Sequence, residues 1–337
     1  MTNPNRPIAI WLLVCCALVY AMIVLGGVTR LTHSGLSIVE WQPLVGTIPP
    51  LTEADWQELF QKYQQTPQYQ QVNAGMDVEG FKGIFWLEYF HRLLGRLIGV
   101  VFALPLMYFW LRGRIERPLK SKLVLMLALG AAQGLLGWLM VKSGLMDEPR
   151  VSPYRLTAHL GLAIAIYAYM FWTALSLITP PPSAAPRLRR AGLVVTALIF
   201  LAILAGGFVA GTRAGFAFND WPLMNGRLLP DGLYALTPWW RDWFENIATV
   251  QFHHRLLAYF LLVAVPAWWW YGRRYALPPR TRSAFHWLLG LLALQVLLGI
   301  LTMVHVVPLP LAAAHQAGAV AVLTAALYVN HALRRVR

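Results

Sequence analysis

Four of the nine histidines in this 337-residue chain recur in a pattern that can hold a metal centre. His91 in "EYFHRLLGR", His159 in "RLTAHLGLA", His254 in "FHHRLLAY" and His315 in "LAAAHQAGA" each stand near the start of a long apolar run. At about 1.5 Å rise per residue, each falls within the first two turns or so of its run, which predicts four imidazoles at similar depth. A single histidine in such a run is ordinarily a packing residue with a hydrogen bond to a neighbouring helix. Four at matched depth, pairing by local sequence as His91 with His254 and His159 with His315, call for a common ligand. Two imidazoles on facing helices supply the two axial ligands of a six-coordinate haem iron. Zinc or copper would recruit further Cys, Asp or Glu ligands, and the second pair has no membrane carboxylate or cysteine beside it. His253 adjoins His254, points about 100° away and is expected not to be a ligand. His33, His286 and His331 are expected to be structural.

The neighbours of these histidines add to the pattern. Glu88 lies three positions before His91, on the same helical face, whereas Gln251 holds that place before His254. A proton-accepting group in one half alone suits chemistry on one ligand and electron relay on the other. Arg92, Arg96 and Arg255 stand beside the expected ligands, where guanidinium groups can pair with haem propionates or reach to lipid headgroups. Gly95, Gly99, Gly161 and Gly318 follow the histidines and suit either a flat ligand or close helix packing.

The elements that must position these residues are membrane spans. The chain is 58% hydrophobic and only 12% charged, whereas soluble domains are about a quarter charged. Taking about 20 apolar residues per span, eight spans are predicted near 8–28, 85–110, 122–141, 156–178, 191–210, 250–271, 284–304 and 311–332. The first lacks a small-residue cleavage site and reads as a retained helix rather than a signal peptide. Cys15 and Cys16 are adjacent within it and cannot close a disulfide framework. The net charge of +14 is a topology signal. Arg6, "RGRIERPLKSK", "RLRR", "GRRYALPPRTR" and the tail "RRVR" hold 16 Lys and Arg against one acid, Glu116. By the positive-inside rule these connections, and both termini, are cytoplasmic. The expected location is a bacterial inner membrane, multi-pass, with the histidine sites near the outer face. Nucleic acid is not an expected partner.

The chain repeats itself. "QGLLGWLMV" from Gln133 returns as "QVLLGILTMV" from Gln295, "EYFHRLLGR" from Glu88 as "QFHHRLLAY" from Gln251, and "GGVTR" from Gly26 as "GGFVAGTR" from Gly206. The last pair leads into loops with Trp41 and Pro43, or Trp221 and Pro222. Four spans is an even number, so the halves run the same way through the membrane, as parallel repeats. The expected fold is an all-α membrane protein of two four-helix bundles, residues 1–180 and 181–337, joined by the Pro-rich "TPPPSAAPRLRR". Of the two long outer loops, the first contains "LTEADWQELFQKY". There Thr52 can cap, Asp55 sits third, and Trp56, Leu59, Phe60 and Tyr63 line one face of an amphipathic helix, suited to the membrane surface or to covering the bundle. The second holds "PWWRDWF", an aromatic cluster of the interfacial kind.

Nearly the whole chain resembles the haem A synthase family, through "GGVTRLTHSGLSIVEWQPLVGTIPP", "FKGIFWLEYFHRLLGR", "RLTAHLGLA", "NDWPLMNGRLLP", "FHHRLLAY" and "AAAHQAGAV", in order. The glutamate three before the first histidine is specific to that family among membrane haem proteins. A cysteine pair found in the first outer loop of some members is missing, so the chain looks like the proteobacterial and mitochondrial subtype. The resemblance implies an oxidoreductase that converts haem O to haem A for cytochrome oxidase, oxidising the C8 methyl group to a formyl by successive hydroxylations. It implies His91 and His159 as ligands of the substrate haem, Glu88 as the catalytic group, and His254 and His315 as ligands of a resident haem b that passes electrons. Either one histidine leaves during turnover, or electrons are withdrawn with water as the oxygen source. Haem O is then the substrate, with haem O synthase, cytochrome oxidase assembly factors and an electron acceptor as partners; a homo-oligomer is left open. Two other readings use the same histidines. A two-haem electron-transfer cytochrome would bind two haem b and give Glu88 no task. A haem or metal transporter would need a cytoplasmic exit path, against which the apolar cytoplasmic half of the helices weighs.

Overall fold

The computed structural model describes residues 3–40, 45–145, 149, 151–179 and 185–334. Among these, regular structure is helical: α1 Arg6–Leu31, α2 Glu53–Gln64, α3 Pro67–Gln71, α4 Val78–Leu111, α5 Arg117–Gly144, α6 Pro153–Ile178, α7 Pro186–Thr212, α8 Ile247–Gly272, α9 Pro279–Val304 and α10 Leu309–Ala332. All but α2 and α3 are long and apolar enough to cross a membrane, one for each expected span. The protein is thus an all-α multi-pass membrane protein. Proline occupies one of the first two positions of α5, α7, α9 and α10, where a missing N–H costs nothing. Trp41, Pro43, residues 180–184 of the Pro-rich linker and the last three residues lie outside the described residues.

The helices starting at Pro153, Ile247 and Leu309 bring His159, His254 and His315 to six or seven residues from their starts, about 10 Å. His91 differs from expectation. Its helix begins at Val78, not near Phe85, so His91 lies about 20 Å along it. The reason is local. Asp77 caps the helix by accepting the Gly80 N–H at 2.8 Å, and the added turns find an apolar partner in α2. Trp56, Phe60 and Tyr63 of α2 are buried with Phe81, Phe85 and Tyr89 of α4, with Trp56 and Phe85 edge to face at 4.9 Å. The expected capping box at Thr52 and Asp55 is formed. The amphipathic helix therefore lays its apolar face on α4.

The chain forms two compact units, one of Ala17–Ala163 and the other of Met1–Cys16 with Ile164–Arg337. In the first, α4 packs on α2 and α5. In the second, α7, α8, α9 and α10 touch in cyclic order, α7 on α8, α8 on α9, α9 on α10 and α10 on α7. Within that unit α6 is joined to α10 by Tyr167 and Thr324 hydroxyls at 2.7 Å and by Ser176 and His331 at 3.0 Å.

Candidate functional site

Each unit holds one pair of the expected histidines. In the unit Ala17–Ala163, His91 comes from α4 and His159 from α6, close enough to interact electrostatically. In the other, His254 of α8 and His315 of α10 set their ring centres 6.4 Å apart with planes at 87°. Metal–imidazole bonds are about 2 Å long, and two of them bridge a gap of that size. None of the four residues is fully buried, yet Nδ1 of His91, His159 and His254 is shielded from solvent without a hydrogen-bond partner. Buried ring nitrogens are seldom left so. A pair of spare imidazole nitrogens on separate helices is the donor set of a bis-histidine haem. Among the described residues no three His, Cys, Asp or Glu side chains converge as a metal cluster.

The other helices of each unit hold these rings in matching ways. On α5, Gln133 Nε2 donates to the main-chain oxygen of His159 at 3.0 Å and lies 3.3 Å from its Nε2. On α9, Gln295 Nε2 donates to the main-chain oxygen of His315 at 2.9 Å and lies 3.1 Å from its Nδ1. Four residues further along each helix, hence on the same face, stands a glycine against the ring. A Cβ on Gly137 would lie 3.1 Å from Cε1 of His159, and one on Gly299 2.8 Å from Cε1 of His315. Gly26 of α1 and Gly206 of α7 stand likewise against His91 and His254, at 3.0 and 3.2 Å. These six residues were not singled out from sequence. Their signal was there, in the repeated "QGLLG" and "QVLLG" and the repeated "GG", whose chemistry shows only when α1, α5, α7 and α9 face the histidines. The glycines that follow the histidines have other neighbours. Gly99 meets nothing within 4 Å, Gly95 meets Met22, and Gly318 makes room for Gln295.

The arginine after each first histidine grips the preceding loop. Arg92 donates through Nη2 to the Ile38 oxygen at 2.7 Å and through Nη1 to the Glu40 oxygen at 3.0 Å. Arg255 donates through Nη2 to the Phe218 oxygen at 2.9 Å and through Nη1 to the Asp220 oxygen at 3.1 Å. In both loops these carbonyls belong to the third and first residues before a tryptophan, Trp41 or Trp221. On these two carbonyls the clamps match, and Arg255 Nη1 donates further to the Leu223 oxygen at 2.8 Å. Asp220 also closes its own loop: the N–H groups of Gly226 and Asn225 hold its carboxyl below the usual carboxylate range.

Glu88 and Gln251 mark the difference. Glu88 is 2% exposed and accepts four hydrogen bonds, two from Arg92 at 2.5 and 3.0 Å, one from Ser37 Oγ and one from the Ile38 N–H, both at 2.8 Å. Gln251, also buried, donates once, to the Phe218 oxygen at 3.1 Å. Arg96 is half-buried one turn beyond Arg92. His253 turns to the loop, with Nε2 at 2.9 Å from the Tyr234 hydroxyl and its ring against Trp243.

Comparison with known proteins shows the family. The model of a family described as "Cytochrome oxidase assembly protein" matches residues 9–327. A "Heme A synthase" of Nitrosospira multiformis is 58% identical over 98% of this chain and 94% of its own. One of Nitrosomonas eutropha is 56% identical over 97% and 94%. "Heme A synthase COX15" of Arabidopsis thaliana is 46% identical over 97% of this chain and 75% of its own. With its eight spans, paired histidines and these relatives, the chain belongs to the haem A synthase family of cytochrome oxidase assembly proteins.

Proposed function

We propose that this protein oxidises the C8 methyl group of haem O to a formyl group by successive hydroxylations, giving haem A for cytochrome oxidase. The observation that carries the reading is a histidine pair present in duplicate, with matching glycine and glutamine supports, beside which only one unit has a carboxylate. His91 and His159 bind the substrate haem and orient it through their ring nitrogens. His254 and His315 hold a resident haem b, which when bound supplies one-electron transfer, passing to an electron acceptor outside the chain the four electrons removed as the methyl group takes its oxygen from water and releases four protons. The halves 1–180 and 181–337 are parallel repeats, defined by sequence correspondence rather than by compactness.

Glu88 is the catalytic group of the first site. It accepts a proton or stabilises positive charge at the reacting carbon. A proton taken at Oε2 would contend with the Ser37 hydroxyl and the Ile38 N–H that this oxygen now accepts, so the chemistry is tied to the loop. Arg92 is committed to Glu88 and the loop, and any propionate must share it. Arg255 keeps a buried Nε–H without a protein partner, a donor suited to a propionate, and Arg96 is the corresponding cation in the first half. The protein lies in the bacterial inner membrane with its basic connections and termini cytoplasmic and its histidine pairs near the outer face. Haem O synthase supplies the substrate, and assembly factors of cytochrome oxidase receive the product.

The deciding experiment is the mass spectrum of haems extracted from protein purified with a haem O supply. Haem O or haem A beside haem B is the expected result. Haem B alone would favour a two-haem electron-transfer cytochrome, and no haem at all would overturn the reading.

A further inference from the structure

We propose that Gly26, Gly137, Gly206 and Gly299 are positioning residues, each the bare seat against which one of the four imidazoles is oriented towards its ligand. The inference rests on the haem reading for the ligand's identity and on the structure for the seats. Four features carry it. The glycines lie on α1, α5, α7 and α9, never on the helix that bears the histidine. In all four the nearest atom to an added Cβ is the same ring atom, Cε1, at 2.8 to 3.2 Å. That carbon is bonded to both nitrogens, so a ring resting on it is held with its nitrogens flanking the contact, 3.3 to 3.8 Å from the added Cβ. Three of the four histidines keep a buried nitrogen without a protein partner, so the held ring points to a ligand.

Packing alone does not explain the choice of residue. Glycine is disfavoured relative to alanine within a helix. Elsewhere on the same helices, Gly130 and Gly134 of α5 and Gly290 of α9 meet no atom within 4 Å, so they are not held by close approach. At the four seats a methyl group would displace the ring or part the helices. In either case the metal–nitrogen bond loses its alignment, as when the groups that orient metal ligands are removed, at a scale of about 10- to 100-fold in affinity.

The test is a set of alanine variants purified with haem bound and read by ferric absorption and electron paramagnetic resonance, with haem content measured separately. In Gly299→Ala, whose seat is tightest, the second pair is expected to pass from low-spin six-coordinate to high-spin haem, or to lose haem about 10- to 100-fold more readily. Gly206→Ala, with more clearance, should do so less and carries the test if Gly299→Ala fails to accumulate as monodisperse protein. Gly134→Ala and Gly290→Ala should leave both spectra as in the parent. In a His315→Gly background supplied with imidazole, Gly299→Ala should have no further effect, since an untethered ring finds its own pose. Unchanged spectra and haem content in Gly299→Ala and Gly206→Ala, or equal changes in the two controls, would overturn the inference and leave the haem reading intact. A parent protein that binds no haem would overturn both.

Discussion

The arginine beside His91 and the arginine beside His254 hold their loops by the same atoms on corresponding carbonyls, yet one is also paired with a carboxylate and the other bonds main-chain oxygens alone. In the first unit the loop is bound at both main-chain groups of one residue, with Arg92 taking the Ile38 oxygen and Glu88 the Ile38 N–H. In the second, Arg255 and Gln251 both converge on the Phe218 oxygen. Gln251 therefore suffices for closing a loop over a histidine pair. Glu88 adds a buried negative charge, a costly group to keep without a use. The comparison separates what the architecture requires from what the chemistry requires.

That comparison can be broken most directly at Glu88. Glu88→Gln gives the first unit the residue of the second, and haem A formation should be abolished while haem b stays bound and the fold is kept. Unimpaired haem A in extracts of that variant would remove the catalytic role. Next in size is a contrast of arginines. Arg92→Gln leaves Glu88 buried without its ion-pair partner and should cost about 3–5 kcal/mol. Arg255→Gln abandons only carbonyl acceptors and should cost about 1–3 kcal/mol. Thermal midpoints in detergent would order the two, and equal shifts would mean that the Glu88 charge is compensated elsewhere. Gln133→Leu and Gln295→Leu should each lose about 0.5–1.5 kcal/mol and alike in the two units, so a one-sided loss would show that the glutamines are not equivalent. The smallest effect belongs to Lys62, which pairs with Glu40 and Glu58. Both acids raise its pKa, Glu40 first. The ammonium and Glu40 are more than a third exposed, and Lys62→Ala should leave the thermal midpoint in detergent close to that of the parent.

Much of this was legible in the sequence because bilayer insertion is written in composition. Eight apolar runs became eight helices, and the Thr52 cap and the apolar face of α2 formed as their spacing predicts. The early start of α4 was not legible, since Val78–Ile84 is held helical by Asp77 and by α2, a partner more than a turn of sequence away. The glycine seats were hidden for a related reason. A glycine in an apolar run carries no signature of what faces it, and only the approach of Gly26 to His91, or of Gly299 to His315, turns the repeated motifs into contacts. Arg92 illustrates the limit in the other direction. Its charge and position suggested an anion, and the anion it contacts is Glu88, four residues before it on its own helix.

One consequence of the long α4 concerns phase. Phe81, Phe85 and Tyr89 face α2, while Glu88, His91 and Arg92 face the site, and both sets ride on one unbroken helix. Inserting or deleting a single residue between Phe85 and Glu88 would turn Phe81 and Phe85 against Glu88, His91 and Arg92 by about 100° and shift them by about 1.5 Å. The two faces are geared together, so this short segment tolerates substitution far better than any change in length.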